Sequence, residues 1–358
     1  MEAGGADERI DWATIRPALA GVLRVAVVAG FGGLVVAELL LRLAGLPTGA
    51  THRARDAYDL DGEAPGPYRP GARIDLAWPP ETAYLATFNS WGMRGAEPRT
   101  ADAPRILALG DSQTFGLGVQ DDESWPARLD QNLAAAGHPH PVLNLASPHL
   151  LIDDEIRYLE EVLPRYRPAV VVWMLPSFGF PADEVGSAQT PHERSLARER
   201  RSRERWAGLV SASALREARD WSFLWRDRLA RAARGEVLAA PPLVANDDDP
   251  AERPGKDHFL ARLPALQALV AGAGAKLLLV PHPQIAVVNG HVQLAPPWVA
   301  EVARERGIAA VDLYAVFRTY PDPDPLFQMP WDTHPSVLAH QQIARAVQAE
   351  LERLGWLE

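Results

Sequence analysis

The first strong pattern in the chain is a run of Ala, Val, Leu and Gly from Pro17 to Leu46. Its charge-free stretch, Val25 to Ala37, is too short alone to cross a bilayer, which needs about 20 apolar residues. Adding the flanks makes it long enough and brings in Arg24, Glu38 and Arg42. Glu38 and Arg42 lie four apart, so they can pair on one helix face. We read residues 17–46 as a transmembrane anchor behind a short tail, 1–16; the alternative is a buried helix of a soluble body. The acidic start and the lack of a fitting A-x-A site argue against a cleaved signal peptide. Arg9 and Arg16 precede the run while Arg42, Arg53 and Arg55 follow it, so charge alone does not orient it.

Beyond the anchor, residues 47–103 are rich in Pro, Gly and Arg, with short extended runs, and read as a linker with peripheral strands and loops. From Pro104 a β/α alternation sets in. Strands are expected at Arg105–Leu109, Pro141–Ala146, Ala169–Leu175, Lys276–Val280 and Ile308–Leu313. Helices are expected at Trp125–Ala136, Asp153–Leu163, about 257–272 and Pro335–Leu354. Such alternation implies a parallel sheet covered on both faces, with ligands beyond the carboxyl ends of its strands. Ser112, Ser147, Ser177 and His282 all follow strand ends and are expected on one rim. Residues 182–256 interrupt the alternation with an Arg/Glu-rich run and a Trp-containing amphipathic stretch, read as a helical insertion within the 104–358 domain.

Composition narrows the chemistry. A net charge of −10 disfavours nucleic acid as a partner, and the absence of cysteine excludes disulfides, thiolate nucleophiles and Cys-ligated zinc. His138, His140 and His149 cluster in sequence, but they lack a helical ligand spacing and a carboxylate at the usual offset, so no metal site is expected.

Two short motifs carry chemistry. Gly110-Asp111-Ser112-Gln113-Thr114-Phe115-Gly116 follows the first strand, where a serine hydroxyl can face the rim and its N–H can meet an oxyanion. By itself it is also an ordinary turn before a helix. Trp331-Asp332-Thr333-His334-Pro335 precedes the last helix; His334 is the candidate base for a hydroxyl that is a weak nucleophile unaided. Asp332 is its candidate orienting partner, with helix capping as the alternative. Either motif alone is weak; their joint occurrence in this frame is specific. His282 has a structural or a substrate-contacting reading, and Asp312 either helps hold the 332–334 loop or satisfies backbone donors at a strand end.

These motifs, with AELLLRLAGL (37–46), FNSWGMRGAE (88–97), VLNLASP (142–148) and YRPAVVVWML (166–175), resemble the SGNH/GDSL hydrolases of the bacterial membrane-anchored kind over most of the chain. The resemblance implies a flavodoxin-like three-layer α/β sandwich with a central parallel sheet, and a catalytic domain on the extracytoplasmic side. It implies Ser112 as nucleophile, His334 as base and Asp332 as its partner. The expected chemistry is ester hydrolysis or acyl transfer through an acyl-enzyme, on a small-molecule or glycan ester, without metal or organic cofactor. Asn144 opens the second block and belongs with the oxyanion and substrate-binding group. That block departs from the family pattern, with His149 standing where the family has a glycine. In the third block Ser177 stands where the family has an asparagine. One oxyanion donor elsewhere is worth about a hundred- to a thousandfold in rate. Three readings therefore stay open: an esterase, an O-acyltransferase of an envelope polymer, and a binding protein without turnover. The last gains if the Ser112 and His334 side chains lie beyond hydrogen-bond reach, or if two oxyanion donors cannot converge.

Overall fold

A computed structural model describes residues 12–43, 57, 59, 68–76, 84–99, 103–148, 152–175, 253–288, 290–329 and 333–358. The expected insertion over 182–256 falls almost wholly outside the described residues, as do His149, Ser177 and Asp332.

Helix α1 (Trp12–Leu43) contains a 24-residue stretch, Ala20–Leu43, of mean hydropathy 2.0. At 1.5 Å per residue this stretch spans about 36 Å, more than a bilayer's hydrocarbon core of about 30 Å. Its Val, Leu and Phe side chains are exposed on all sides, the opposite of a core helix. Arg42 bonds Glu38 at 2.9 Å across one turn, so two of the three charges in this stretch, which also holds Arg24, partly neutralise each other.

Next comes an antiparallel pair, β1 (Arg73–Leu76) and β2 (Tyr84–Thr87). The main body then winds through β3 (Arg105–Leu109), a single turn α2 (Ser112–Phe115), α3 (Trp125–Ala135), β4 (Val142–Asn144), α4 (Ile152–Tyr166) and β5 (Pro168–Leu175). It resumes with α5 (Arg253–Gly272), β6 (Lys276–Pro281), a hairpin of β7 (Gln284–Val288) and β8 (His291–Ala295), α6 (Trp298–Glu305), β9 (Ala309–Ala310), α7 (Leu313–Phe317) and α8 (Val337–Arg353).

Five strands form one parallel sheet in the order β4-β3-β5-β6-β9. Counted along the main sheet alone this is 2-1-3-4-5, the flavodoxin-like doubly wound order, whose ligand crevice opens where the winding reverses, beside β3. Successive strand residues face opposite layers. Ile106, Ala108, Val170, Val172, Leu278 and Val280 pack with Trp125, Leu129, Ile343 and Val347 on one face. Leu107, Leu109, Val171, Trp173 and Leu279 pack with Leu159, Val162, Phe259, Leu263 and Val270 on the other. Both faces are dry, which is why these strands read as continuous apolar runs rather than alternating ones. The fold is thus the α/β three-layer sandwich expected from the sequence.

Two local expectations are corrected. The fifth strand pairs only at Ala309–Ala310, because Asp312 accepts the Ala315 N–H (2.8 Å) and starts α7; Asp312 is a helix cap. Pro335 lies outside the last helix: it bridges Phe327, and Ser336 caps α8. The peripheral strands pair with each other, while the segment after β2, folded on itself by the bridge Phe88 to Arg94, meets the sheet through the bridge Arg94 to Asn144 at the end of the edge strand β4.

Gly110 joins β3 to α2 with φ +149°, and a Cβ there would run into the Thr114 side chain and come within 3.0 Å of the Met174 carbonyl. We expect Gly110→Ala to lower stability by about 2–5 kcal/mol, from overpacking plus backbone strain. Thermal unfolding of the full chain checks this; an unchanged midpoint would contradict the close approach.

Candidate active site

Ser112 opens the one-turn helix α2 just past the carboxyl end of β3. Asp111 caps it by accepting the Gln113 N–H (2.9 Å), and Gly116 ends it in the left-handed conformation. One turn is too short to hold itself, since nucleation fixes several dihedrals for a single bond, so its orientation is set by its surroundings.

His334 Nε2 lies 2.8 Å from Ser112 Oγ, across 222 residues of sequence. For Nε2 to accept the serine proton, the ring's own proton must sit on Nδ1. Gln328 holds the two motifs together. Its backbone N–H donates to the His334 carbonyl (3.0 Å), and its side-chain amide donates to Leu117 O (2.6 Å) and Pro335 O (3.0 Å). Gly118, at φ +80°, leaves the space this amide occupies: a Cβ there would collide with it.

Asn144 is corrected. Its amide donates to Thr114 O (3.2 Å) and Phe115 O (3.4 Å), and its Oδ1 accepts the Ala146 N–H (3.1 Å). Both amide protons are spent on the turn behind Ser112, so Asn144 supports that turn and has no donor left for an oxyanion. The rim expectation is corrected at two further positions. Ser147 is buried against the Tyr68 hydroxyl (2.9 Å). His282 is fully buried, its Nδ1 bonded to Pro283 O (3.0 Å) and its ring edge-on to Phe317 and Phe327. That leaves Ser112 and His334 at the rim, with His149, Ser177 and Asp332 outside the described residues.

Three buried titratable groups, His282, His340 and Glu155, have shifted ionisation, and the last two had no role in the sequence reading. Burial pushes the His282 ring down to about 4, against a partly offsetting bond to Pro283 O. Burial also pushes His340 down to about 3, with Arg94 adding to the effect; its Nδ1 accepts the Trp125 N–H (3.1 Å). Glu155 moves the other way. Burial, then the charge of Asp111, raises its carboxyl well above the usual range, while the Trp173 indole donates to it at 2.6 Å.

Arg94 was quoted within a motif but given no task. Its guanidinium is buried behind α2 and bonds the backbone there. A lone arginine among Phe, Trp, Met and Gly was the available signal. Among the described residues one grouping has donors close enough to share a cation, His291 with Asp322 and Asp324. Asp324 there already accepts from His291 (2.9 Å) and the Val292 N–H (2.6 Å), and the grouping includes neither Ser112 nor His334. A cavity of about 280 Å³ beside β4, lined by Asn89, Arg94, Arg99, Asp130 and Asn144 among others, likewise does not include them.

The doubly wound sheet and a hydrogen-bonded serine and histidine at its carboxyl edge define a class, an α/β fold carrying a serine–histidine pair. Comparison with solved structures finds esterases and lipolytic hydrolases of the G-D-S-L kind. TesA matches with 17% identity and a TM-score of 0.39, over 70% of this chain and 99% of that one. A catalytic mutant of Axe2, an acetylxylan esterase from Geobacillus stearothermophilus, matches with 16% identity and a TM-score of 0.38, over 71% and 96%. A member of the lipolytic protein G-D-S-L family from Veillonella parvula matches with 11% identity and a TM-score of 0.37, over 70% and 100%. No family model matches the chain, and no curated protein does.

Proposed function

We propose that the chain is a membrane-anchored serine ester hydrolase of the SGNH/GDSL type. The observation that carries this reading is the 2.8 Å contact between Ser112 Oγ and His334 Nε2 at the crevice beside β3. Ser112 attacks the ester carbonyl as His334 takes its proton. The tetrahedral oxyanion is met by the Ser112 N–H, with the His149 N–H and the Ser177 hydroxyl as further donors. His334 then protonates the departing alcohol, leaving an acyl-enzyme. A water molecule, deprotonated by the same imidazole, releases the acid and restores Ser112. We assign to Asp332, two residues before His334, the role of accepting the hydrogen bond from Nδ1–H and stabilising the imidazolium, the proton staying on the ring. No cofactor enters this scheme.

The substrate class we favour is a small acyl ester of a carbohydrate or lipid alcohol. Residues 17–46 anchor the chain after the 1–16 tail, and residues 47–103 lead into the 104–358 domain, which faces the extracytoplasmic side. The length and all-round apolar surface of α1 support the anchor. A binding protein without turnover would have no use for a serine–histidine contact of hydrogen-bond length, so that reading loses ground.

The test is labelling of the detergent-purified full chain with a fluorophosphonate, beside Ser112→Ala. We expect the wild type to label and the variant not to, with hydrolysis of p-nitrophenyl acetate falling by roughly 10⁴-fold or more. A folded wild type that neither labels nor hydrolyses sinks the proposal, as does equal activity in the variant.

A further inference from the structure

Arg94 sits in the segment after β2, outside the part of the chain that holds the two motifs, yet it makes more bonds to the Ser112 turn than any residue described above. It is only 4% exposed. Its Nη1 donates to Phe115 O (2.7 Å) and Gly116 O (2.6 Å). Its Nη2 donates to Val119 O (2.7 Å) and Leu85 O (3.3 Å). Its Nε is paired with Asp121 (2.9 Å), which also accepts from the backbone and hydroxyl of Thr87. The guanidinium lies 4.7 Å from the Phe115 ring centroid and 5.4 Å from that of Tyr84. Three of its four carbonyl acceptors thus belong to the turn that follows Ser112. Asn89 shapes the approach: its side-chain oxygen accepts the N–H groups of Trp91 (3.0 Å) and Met93 (3.1 Å), folding the chain back so that Arg94 enters.

The helix that begins with Ser112 cannot orient itself, and its last carbonyls have no helical partner. Asn144 supplies neutral donors there. Arg94 supplies charge-assisted ones, about twice as strong, in a planar fork that a lysine cannot reproduce. Without it, the buried carbonyls lose their charge-assisted donor and Asp121 its ion pair together, leaving Asn144 on Phe115 O and Thr87 on Asp121. We propose that Arg94 is a positioning residue of the serine site, fixing the end of the Ser112 helix so that Oγ stays in reach of His334 Nε2. This rests on the hydrolase reading above. It makes the segment around 84–99 a working part of the catalytic apparatus.

The experiment compares the full chain with Arg94→Ala and Arg94→Lys, by fluorophosphonate labelling rate and by hydrogen exchange of peptides covering 112–119. A displacement near 1 Å costs on the order of a hundredfold, so folded Arg94→Ala should label about a hundredfold more slowly. Millimolar guanidinium should restore part of the rate and methylammonium should not. Arg94→Lys should stay slow, and in both variants exchange should rise selectively over 115–119. A purely structural role would lower the unfolding midpoint without slowing labelling of the folded protein or answering to guanidinium. Wild-type labelling by a folded Arg94 variant overturns the proposal. If neither variant folds, Asp121→Asn loosens the guanidinium while leaving it in place, and unchanged labelling and exchange there overturn it equally. Should the wild type itself fail to label, the hydrolase reading falls, and unchanged exchange over 115–119 in the variants would then refute the clamp separately.

Discussion

Replacing His334 by glutamine is expected to lower kcat/KM for p-nitrophenyl acetate by about 10⁴-fold or more, with the unfolding midpoint little changed. Glutamine keeps comparable length and an amide donor that can still reach Ser112 Oγ, so the 2.8 Å contact can be replaced sterically. What it cannot do is take up a proton. The serine hydroxyl is a poor nucleophile without a base, and p-nitrophenolate leaves without needing an acid, so the substrate isolates the base role. Steady-state kinetics on the full chain, beside thermal unfolding, decide the matter. A loss smaller than tenfold would mean that His334 orients the site rather than activating Ser112.

The second large effect concerns acid. His282 and His340 ionise near 6.5 when unfolded but are held down to about 4 and about 3 by burial in the fold. Below pH 6.5 the unfolded chain therefore binds protons that the folded chain refuses, so stability is intact above that pH and lost as pH falls toward 4 and 3. Each group contributes about 1.4 kcal/mol per pH unit within its window, and the pair together removes roughly 6 kcal/mol by pH 4. Against a typical total of about 5–15 kcal/mol, that is enough to bring the protein close to unfolding. Glu155 works in the opposite sense: its raised carboxyl pKa favours the fold most at low pH and offsets part of the loss. Denaturant unfolding between pH 7 and 4.5 should show stability falling with a slope approaching two protons. His340→Gln, which offers the Trp125 N–H an acceptor that does not titrate, should reduce the slope by one proton. An unaltered slope in that variant would refute the assignment.

Much of the sheet was legible because each main strand is a short apolar run ending in Gly, Asn or Pro, and strands buried on both faces have no other way to look. The β7–β8 hairpin carries a signal that the β/α alternation obscures: Asn289-Gly290 between two extended runs, the usual mark of a tight hairpin turn. The fifth strand was expected at Ile308–Leu313, but its shortening to Ala309–Ala310 was not, because Asp312 in that run reads as well as a strand-end residue as it does as the cap of α7.

At the site, Ser112 and His334 were legible as a pair of motifs, since a nucleophile and its base must be particular residue types. Gln328 and Arg94 were not. Their partners are backbone carbonyls, which every residue owns, so no pattern of side chains marks them. Asn144 shows the converse: a polar residue at a motif position invites a role toward substrate, while its actual partners are the carbonyls of Thr114 and Phe115.

The docking of residues 88–94 on the edge of β4 has a consequence for how such chains can be cut and joined. A truncation starting at Pro104, where the strand alternation begins, would remove the bridge from Arg94 to Asn144 at the end of β4 and leave that strand edge more open to addition by another chain. It would also discard the Tyr68 ring stacked on Phe88. The sheet domain and the segment before it are therefore not exchangeable modules. A version of the domain without helix α1 has to begin before Tyr68, and a boundary drawn at the first strand of the main sheet would produce an aggregation-prone fragment rather than a smaller folded domain.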